Sequence, residues 1–319
     1  MNKKSYFLLL ILLSLVFKYG YAQNQTSFKV IPLGTKGGLD ESNLSAYLVA
    51  PAGSENFICA DAGTIRHGID IAINNQLFKG PADDVLKNKI KGYLISHAHL
   101  DHVAGLIMNS PDDSKKNIYA IPSVTEVLRD KYFTWKAWAN FASEGELPRL
   151  GKYTYVRLKE NKKTDLAGTE MQVTPFLLSH GPGYESTAFL ISHDNTSLLY
   201  LGDTGADEIE KNTRLRKLWE QVAPLIIKNR LKAIFIETSF SNKQPENQLF
   251  GHLTPRLLMV ELNKLRQLTG QEALQKVSIV ITHMKAWDKD EQYLVNELKQ
   301  VNSMDLKLVF PEQGQLLEF

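Results

Sequence analysis

The chain alternates short apolar runs with longer segments in which apolar residues recur three and four positions apart. The short runs are bounded by Gly, Pro, Asn or Asp and predict β-strands, and the longer segments predict amphipathic helices. Strands are predicted at residues 27–33, 46–49, 56–61, 92–96, 153–158, 171–178, 187–192, 197–201, 233–237 and 277–282. Helices are predicted near residues 69–78, 81–88, 102–108, 123–138, 215–229, 255–268 and 291–301.

Strands and helices are mixed along the whole chain, without an internal repeat or a clear linker. Such an order is typical of an α/β protein in which two sheets pack together and helices cover their outer faces. We therefore expect one domain at residues 23–319. Asp194-Asn195 lies between two predicted strands and indicates a hairpin turn.

The N-terminal segment has the pattern of a signal peptide. Two lysines precede an apolar stretch of 11 residues at 7–17, and Gly20 and Ala22 put small residues before a cleavage point. The alternative is a membrane anchor, but a lysine ends the apolar stretch well short of the roughly 20 residues that span a bilayer. We expect a signal peptide at residues 1–22 and an exported protein, periplasmic or secreted, with no stable membrane anchor.

Charge and cysteine content exclude several classes of function. The formal charge is +2, but without the three lysines of the N-terminal segment 34 basic side chains stand against 35 acidic ones. That balance gives no overall attraction to nucleic acid, so no nucleic-acid partner is expected. Cys59 is the only cysteine, which excludes a disulfide within the chain and a Cys-rich zinc module. The oligomeric state is not indicated, and a homodimer is compatible with the sequence.

Three of the eight histidines lie within six residues, in His97-Ala-His99-Leu-Asp101-His102. The cluster follows a predicted strand and precedes a predicted helix, so it lies in a loop whose position a sheet fixes. Alternation at the strand end places His97 and His99 on one side. Imidazole and carboxylate groups suit zinc or a similar divalent metal. We expect one metal at His97 and His99 and a second at Asp101 and His102.

Three further candidate ligands follow apolar strands in the second half of the chain. His180 comes after 171–178, Asp203 after 197–201 and His283 after 277–282. The repeated placement of a polar residue at a strand end predicts that several strands deliver ligands to one edge of a sheet.

In their order along the chain, these residues resemble the metallo-β-lactamase superfamily. The resemblance implies a four-layer αββα sandwich and a site for two divalent metal ions, with zinc as the expected metal. It also implies how the ligands are shared between the two ions. The implied ligands are His97, His99 and His180 for one metal, Asp101, His102 and His283 for the other, and Asp203 for both.

Longer segments are similar to class II cyclic-nucleotide phosphodiesterases. They are residues 97–111, 237–242, 251–255 and 43–49, which read HAHLDHVAGLIMNSP, ETSFSN, GHLTP and NLSAYLV. The resemblance implies a small-molecule substrate, a 3′,5′-cyclic nucleotide (cAMP, cGMP or both), and hydrolysis to the 5′-nucleotide.

The expected chemistry needs a hydroxide and a proton donor. Two divalent cations about 3.5–4 Å apart lower the pKa of a bridging water and supply hydroxide near neutral pH. Attack on phosphorus expels the 3′ oxygen, and His252 is our candidate for the donor that protonates it. Glu237 would orient His252 or a ligating histidine, and Asp61 would hydrogen-bond another. With His252 and Glu237, Asp101 is a catalytic candidate, because its carboxylate would lie beside the metal ions.

Other functions remain open from the sequence. An RNase Z-like nuclease would use the same two-metal site, and residues 237–240 and 252–254 loosely resemble that family, although the chain is not basic. A β-lactamase or lactone hydrolase is disfavoured because Asp203 and His283 are 80 residues apart. A nucleotide or metal binder without turnover is the alternative from another class. The aromatic residues of 132–138 either line a base pocket or belong to the core.

Overall fold

The computed structural model describes residues 26–319, and the predicted signal peptide at residues 1–22 lies outside that range. Two seven-stranded mixed sheets pack face to face, with helices on their outer surfaces. Among the described residues, no helix combines the length and the apolar character needed to cross a membrane. The division of the chain at residue 22 stays a prediction.

The first sheet is built from the strands of the N-terminal half and the last strand of the chain, namely β1 (Phe28–Gly34), β2 (Ala46–Pro51), β3 (Phe57–Ala60), β4 (Ile90–Leu94), β5 (Lys116–Ala120), β6 (Tyr153–Arg157) and β14 (Leu317–Glu318). Their order is β14-β1-β2-β3-β4-β5-β6. Pairing is antiparallel from β14 to β3 and parallel from β3 to β6. The parallel half places the ends of β3 and β4 at the same edge.

The second sheet contains the remaining strands, β7 (Thr164–Asp165), β8 (Gln172–Ser179), β9 (Glu185–His193), β10 (Thr196–Leu201), β11 (Leu231–Glu237), β12 (Ser278–Thr282) and β13 (Lys307–Val309). Their order is β13-β12-β11-β10-β9-β8-β7. The strands β10 to β13 are parallel, and β7 to β10 are antiparallel. Because β8 is separated from β10 by one antiparallel strand, β8 and β10 run in the same direction.

The helices cover the outer faces of both sheets. They are α1 (Arg66–Asn74), α2 (Ala82–Asp84, continued by a π-helical turn at Val85–Lys89), α3 (Leu100–Asn109), α4 (Pro122–Val127, continued by a π-helical turn at Leu128–Tyr132), α5 (Asp207–Glu210), α6 (Arg214–Ile227), α7 (Pro255–Thr269), α8 (Gln271–Leu274) and α9 (Asp288–Val301). Thr254 caps α7 through its side chain, and Pro255 occupies the first turn, as the Thr-Pro pair predicts.

Three apolar clusters stabilise the four layers. One lies between the sheets and includes Tyr47, Phe189 and Phe235. Each sheet also packs against its own helices through one apolar cluster. The cluster of the second sheet surrounds Trp219. Strands β2 and β12 are buried at every residue, which explains their continuous apolar runs in the sequence. The expected αββα sandwich is confirmed.

One predicted helix is too long, and β5 is among the elements that were not predicted. The helix predicted at 123–138 ends at Tyr132, because the next residues turn and Trp135 adopts a positive φ of 60°. The strand β5 was missed, since its sequence begins with Lys-Asn and its apolar part is only three residues long. The hairpin turn at Asp194-Asn195 is confirmed, with Thr196 pairing with His193 across it.

Candidate active site

Strand direction explains why distant residues meet in one place. The strands β8, β10, β11 and β12 run the same way, so their carboxyl ends share an edge. His180 follows β8, Asp203 follows β10 and His283 follows β12. Glu237 is the last residue of β11. The loop after β4 brings residues 97–102 to this edge from the facing sheet. All seven predicted metal ligands therefore come together.

The first group of ligands consists of His97, His99 and His180. His99 Nδ1 lies 3.1 Å from His97 Nε2 and 3.3 Å from His180 Nε2. Neighbouring ligands of a tetrahedral zinc ion lie about 3.3 Å apart. His97 and His180 are buried, whereas His99 is exposed at the open side of the site. Both distances match the spacing between neighbouring corners of a tetrahedral site.

The second group consists of Asp101, His102 and His283. His283 Nε2 lies 3.1 Å from both His102 Nε2 and Asp101 Oδ2. Asp101 and His102 lie in the first turn of α3, and His283 reaches them from the opposite sheet. The spacing again matches neighbouring ligands of one ion.

Asp203 lies between the two groups. Its Oδ2 atom is 3.3 Å from His102 Nε2 and 3.2 Å from His283 Nε2. The same oxygen is 3.7 Å from His97 Nε2 and 3.8 Å from His180 Nε2. One carboxylate oxygen therefore contacts both groups, which is the position of a bridging ligand.

Hydrogen bonds on the outer side of the rings leave lone pairs pointing inwards. His102 Nδ1 donates to Asp61 Oδ2 at 2.8 Å, and His180 Nδ1 donates to the Gly251 carbonyl at 2.9 Å. A neutral imidazole that donates from Nδ1 carries its lone pair on Nε2. The inward-facing nitrogen of each ring is then an acceptor.

The rings of His97 and His283 also donate from Nδ1, in each case to a serine hydroxyl. Ser96 Oγ donates to the Asp61 carboxylate and so accepts from His97 Nδ1 at 3.0 Å. Ser239 Oγ donates to Glu237 and accepts from His283 Nδ1, also at 3.0 Å. When all four rings are neutral, four Nε2 lone pairs thus converge on Asp203. Acceptors packed this closely need a cation, so the residues fit a metal site.

The first group is neutral at physiological pH. Burial lowers the pKa of His97 well below its ordinary value, with the positive charge of His102 adding to the effect. Burial also lowers the pKa of His99 to about 4 and reduces that of His180. Unprotonated imidazole is the form that binds a metal, so these three histidines are ready for one.

The second group attracts positive charge. Burial alone would lower the pKa of His102, but Asp203, Asp61 and Asp101 raise it well above its ordinary value. Burial would raise the pKa of Asp203, but His283 and His102 hold it well below the usual range. The carboxylates therefore stay ionised and favour a cation at this point, either a proton or a metal ion.

Glu237 and His252 form a buried pair beside the ligands. His252 Nδ1 donates to Glu237 Oε1 at 2.7 Å, and the His252 ring packs against His180 and His283 with centroids 4.7 and 5.4 Å away. Burial would lower the pKa of His252, but the Glu237 carboxylate raises it. Glu237 Oε1 also accepts from the backbone N–H of Thr204, the residue after Asp203. Glu237 thus holds both the candidate proton donor and the loop of the bridging ligand.

The Gly-rich turn after β1 closes one side of the second group. A Cβ atom on Gly37 would lie 2.2 Å from the ring of His283, so only glycine fits against that ring. Gly38 N donates to Asp101 Oδ2 at 2.9 Å. The turn therefore positions two ligands at once.

The sequence profile described as class II cAMP phosphodiesterases matches residues 81–309. The chain belongs to this family. It is 38% identical to the 3′,5′-cyclic-nucleotide phosphodiesterase of Aliivibrio fischeri over 98% of each chain.

Solved structures agree with the class II phosphodiesterase fold. Unliganded yeast PDE1 superimposes with a TM-score of 0.82 at 22% identity, over 92% of this chain and all of that one. The metallo-β-lactamase fold protein YhfI of Bacillus subtilis gives 0.60 at 16% identity, over 92% of this chain and all of that one. At such identities the likeness shows the fold, which is the expected metallo-β-lactamase sandwich.

The structure of this class II phosphodiesterase also places residues that the sequence analysis missed. Tyr200 donates to Asp61 Oδ2 at 2.7 Å, and Ser239 links Glu237 to His283. Tyr184 stacks on His99 with an interplanar angle of 7°. Tyr184 and Tyr200 lie outside the family segments, and Ser239 lies within residues 237–242 but was given no role. Only the pairing of strands could reveal these contacts.

The aromatic segment 132–138 divides between two roles. Tyr132 donates to the Ala98 carbonyl between His97 and His99, whereas Phe133 is buried in the core. Trp135 and Trp138 are partly exposed and donate to Pro148 and Ser110. Tyr132 therefore contacts the metal-ligand loop.

Proposed function

We propose that this chain hydrolyses the phosphodiester of 3′,5′-cyclic nucleotides, cAMP, cGMP or both, to give 5′-nucleotides, with two divalent metal ions as cofactors. The convergence of both ligand groups on Asp203 Oδ2 carries the proposal. Membership of the class II family supports the substrate, because the Aliivibrio fischeri relative is named a 3′,5′-cyclic-nucleotide phosphodiesterase.

Zinc is the metal that the donor atoms favour, since they combine imidazole nitrogen with carboxylate oxygen. His97, His99 and His180 would hold one ion, Asp101, His102 and His283 the other, and Asp203 both. When bound, the two ions supply a nucleophile near neutral pH and stabilise negative charge at phosphorus.

The protein leaves the site positively charged. Asp101 and Asp203 offset only half of the four positive charges that two divalent ions bring, and the histidine ligands are neutral. An anionic phosphodiester is therefore attracted, and the charge that develops in the transition state is stabilised by groups fixed in advance.

His252 is the proton donor in this proposal. Glu237 accepts from Nδ1 and favours the charged imidazole, which leaves the Nε2 proton available for the departing 3′ oxygen. Because the Glu237–His252 pair is buried, the ring is held in one orientation beside the ligands. The donor is thus positioned before substrate binds.

The direct test is a time course with the purified mature protein, measuring the loss of cAMP and of cGMP separately. We expect 5′-AMP or 5′-GMP to form, and a chelator or the substitution Asp203→Asn to abolish it. An exposed carboxylate variant, Glu312→Gln, serves as the matched control and should behave as wild type. Absence of both products from a protein that carries two metals would contradict the proposal, and RNA ends would then be tried.

We further propose that residues 1–22 direct export to the periplasm or the medium. The basic start, the apolar stretch and the small residues at 20 and 22 support this. Sequencing the N-terminus of protein recovered outside the cytoplasm should show Gln23 as its first residue. Retention of the whole protein in the cytoplasm with an intact N-terminus would contradict it.

A further inference from the structure

Lys285 brings a cation to the edge of the candidate site. It lies two residues beyond His283, and its Nζ atom is 3.0 Å from Nε2 of His252. Its backbone N–H donates to the Ser239 carbonyl at 3.0 Å, which fixes the chain at this point. The ammonium group thus faces the atom of His252 that is opposite Glu237.

The Lys285 stem is held on two sides. A Cβ atom on Gly38 would lie 3.6 Å from Lys285 Cδ, so the stem packs over the Gly-rich turn. On the other side, Nζ lies 5.9 Å from the centroid of the Phe240 ring. A lysine enclosed in this way presents its charge at a defined place, unlike a lysine on a free surface.

Lys285 is not part of an ion pair among the side chains that the structure describes. Lys36, in the neighbouring turn, pairs with Glu291. The Glu237 carboxylate accepts from Nδ1, the other ring nitrogen of His252. When His252 carries its Nε2 proton, the imidazolium and the ammonium both donate toward the same space, which favours an anion there. Phosphate is the anion that lysine commonly binds as a point charge.

We propose that Lys285 binds a non-bridging phosphate oxygen of the cyclic nucleotide, next to His252. This rests on the proposed function, because it assigns a contact within the same substrate site. Lys285 is then a catalytic residue that touches the substrate, and it holds the phosphate where His252 can reach the leaving oxygen. The same contact should hold the phosphate of the product.

The experiment measures binding of 5′-AMP by calorimetry to wild-type protein loaded with zinc, and to Lys285→Met and Lys285→Arg. Loss of one charge-assisted hydrogen bond should weaken 5′-AMP binding about 10- to 100-fold in Lys285→Met. Lys285→Arg keeps the charge and should retain part of the affinity. Lys289→Met removes an equal charge from an exposed position four residues on and should bind as wild type.

Metal content is determined for each protein, so that binding is compared at equal occupancy. Equal affinity of Lys285→Met and wild type would overturn the proposal, as would the absence of 5′-AMP binding to wild type. Loss of metal from both Lys285→Met and Lys285→Arg would also overturn it, since Lys285 would then hold the ligand loop instead. Hydrolysis of cAMP by the wild type is scored separately: 5′-AMP binding without hydrolysis would contradict the proposed function and leave the anion contact standing.

Discussion

The carboxylate of Glu237 joins His252 and His283 in one hydrogen-bonded unit. Its Oε1 atom accepts from His252 Nδ1 at 2.7 Å, and its Oε2 atom accepts from Ser239, which in turn accepts from His283 Nδ1. All four side chains are buried. A single carboxylate therefore orients a candidate proton donor and a candidate metal ligand, and the two functions can be separated by substitution.

Replacing His252 with Ala should slow turnover of cAMP by about 10²- to 10⁴-fold, because the leaving oxygen loses its proton donor. Metal content should stay near that of wild type, since His252 is outside both ligand groups. The measurement is kcat alongside elemental analysis of the same sample.

His67, exposed on α1, supplies the control: His67→Ala should change neither quantity. If His252→Ala loses a metal ion in proportion to its activity, the histidine is a ligand or a structural support and not a donor.

Removing the Ser239 hydroxyl should weaken the second metal. In Ser239→Ala, His283 Nδ1 loses its acceptor, and loss of such a contact typically lowers metal affinity about 10- to 100-fold. Ser239→Thr keeps the hydroxyl and should restore most of the affinity. Calorimetric titration of the metal-free protein measures the effect, with Ser303→Ala on the exposed surface as control. Unchanged affinity in Ser239→Ala would show that the serine does not support His283.

Metal binding should release protons unequally from the two groups. His99, with its pKa at about 4, is already neutral at pH 7, so the first group binds metal without releasing a proton. Burial opposes protonation of His102, but Asp203, Asp61 and Asp101 raise its pKa above the ordinary value, so it holds a proton at pH 7 that a metal must displace.

As pH falls, the second metal should therefore be lost before the first. Calorimetry in buffers of different ionisation enthalpy counts the protons released by each equivalent of zinc. Equal release for both equivalents would contradict this assignment of charge.

Asp61 should matter more for stability than any one of its partners. It accepts from His102, from Tyr200 and twice from Ser96, and it is fully buried. Asp61→Ala leaves several buried donors without an acceptor and should cost on the order of 3–5 kcal/mol. Tyr200→Phe removes one donor and should cost about 1 kcal/mol. Urea unfolding of the metal-free proteins compares them, and equal losses would show that Asp61 is not the centre of this network.

The sequence was most informative where polar residues end apolar strands. His180, Asp203 and His283 were expected to meet because each follows such a strand, and the shared direction of β8, β10 and β12 explains their meeting. The resemblance of residues 97–111 to class II phosphodiesterases led to the correct family and fold.

Local pattern failed where long-range packing decides the structure. The apolar spacing of 123–138 continues past Tyr132, but the positive φ of Trp135 and the burial of Phe133 end the helix. Ser239 and Lys285 were missed because a serine and a lysine are ordinary surface residues in a sequence. Their contacts arise only when the end of β12 meets the loop after β11.

The central claim is that two metal ions held around Asp203 carry out phosphodiester hydrolysis. It is tested most directly by adding zinc stepwise to metal-free protein and measuring, in the same samples, bound metal and the rate of 5′-AMP formation from cAMP. We predict no product without metal and a rate that rises until two equivalents are bound. Full activity without metal, or no 5′-AMP with two equivalents bound, would contradict the account.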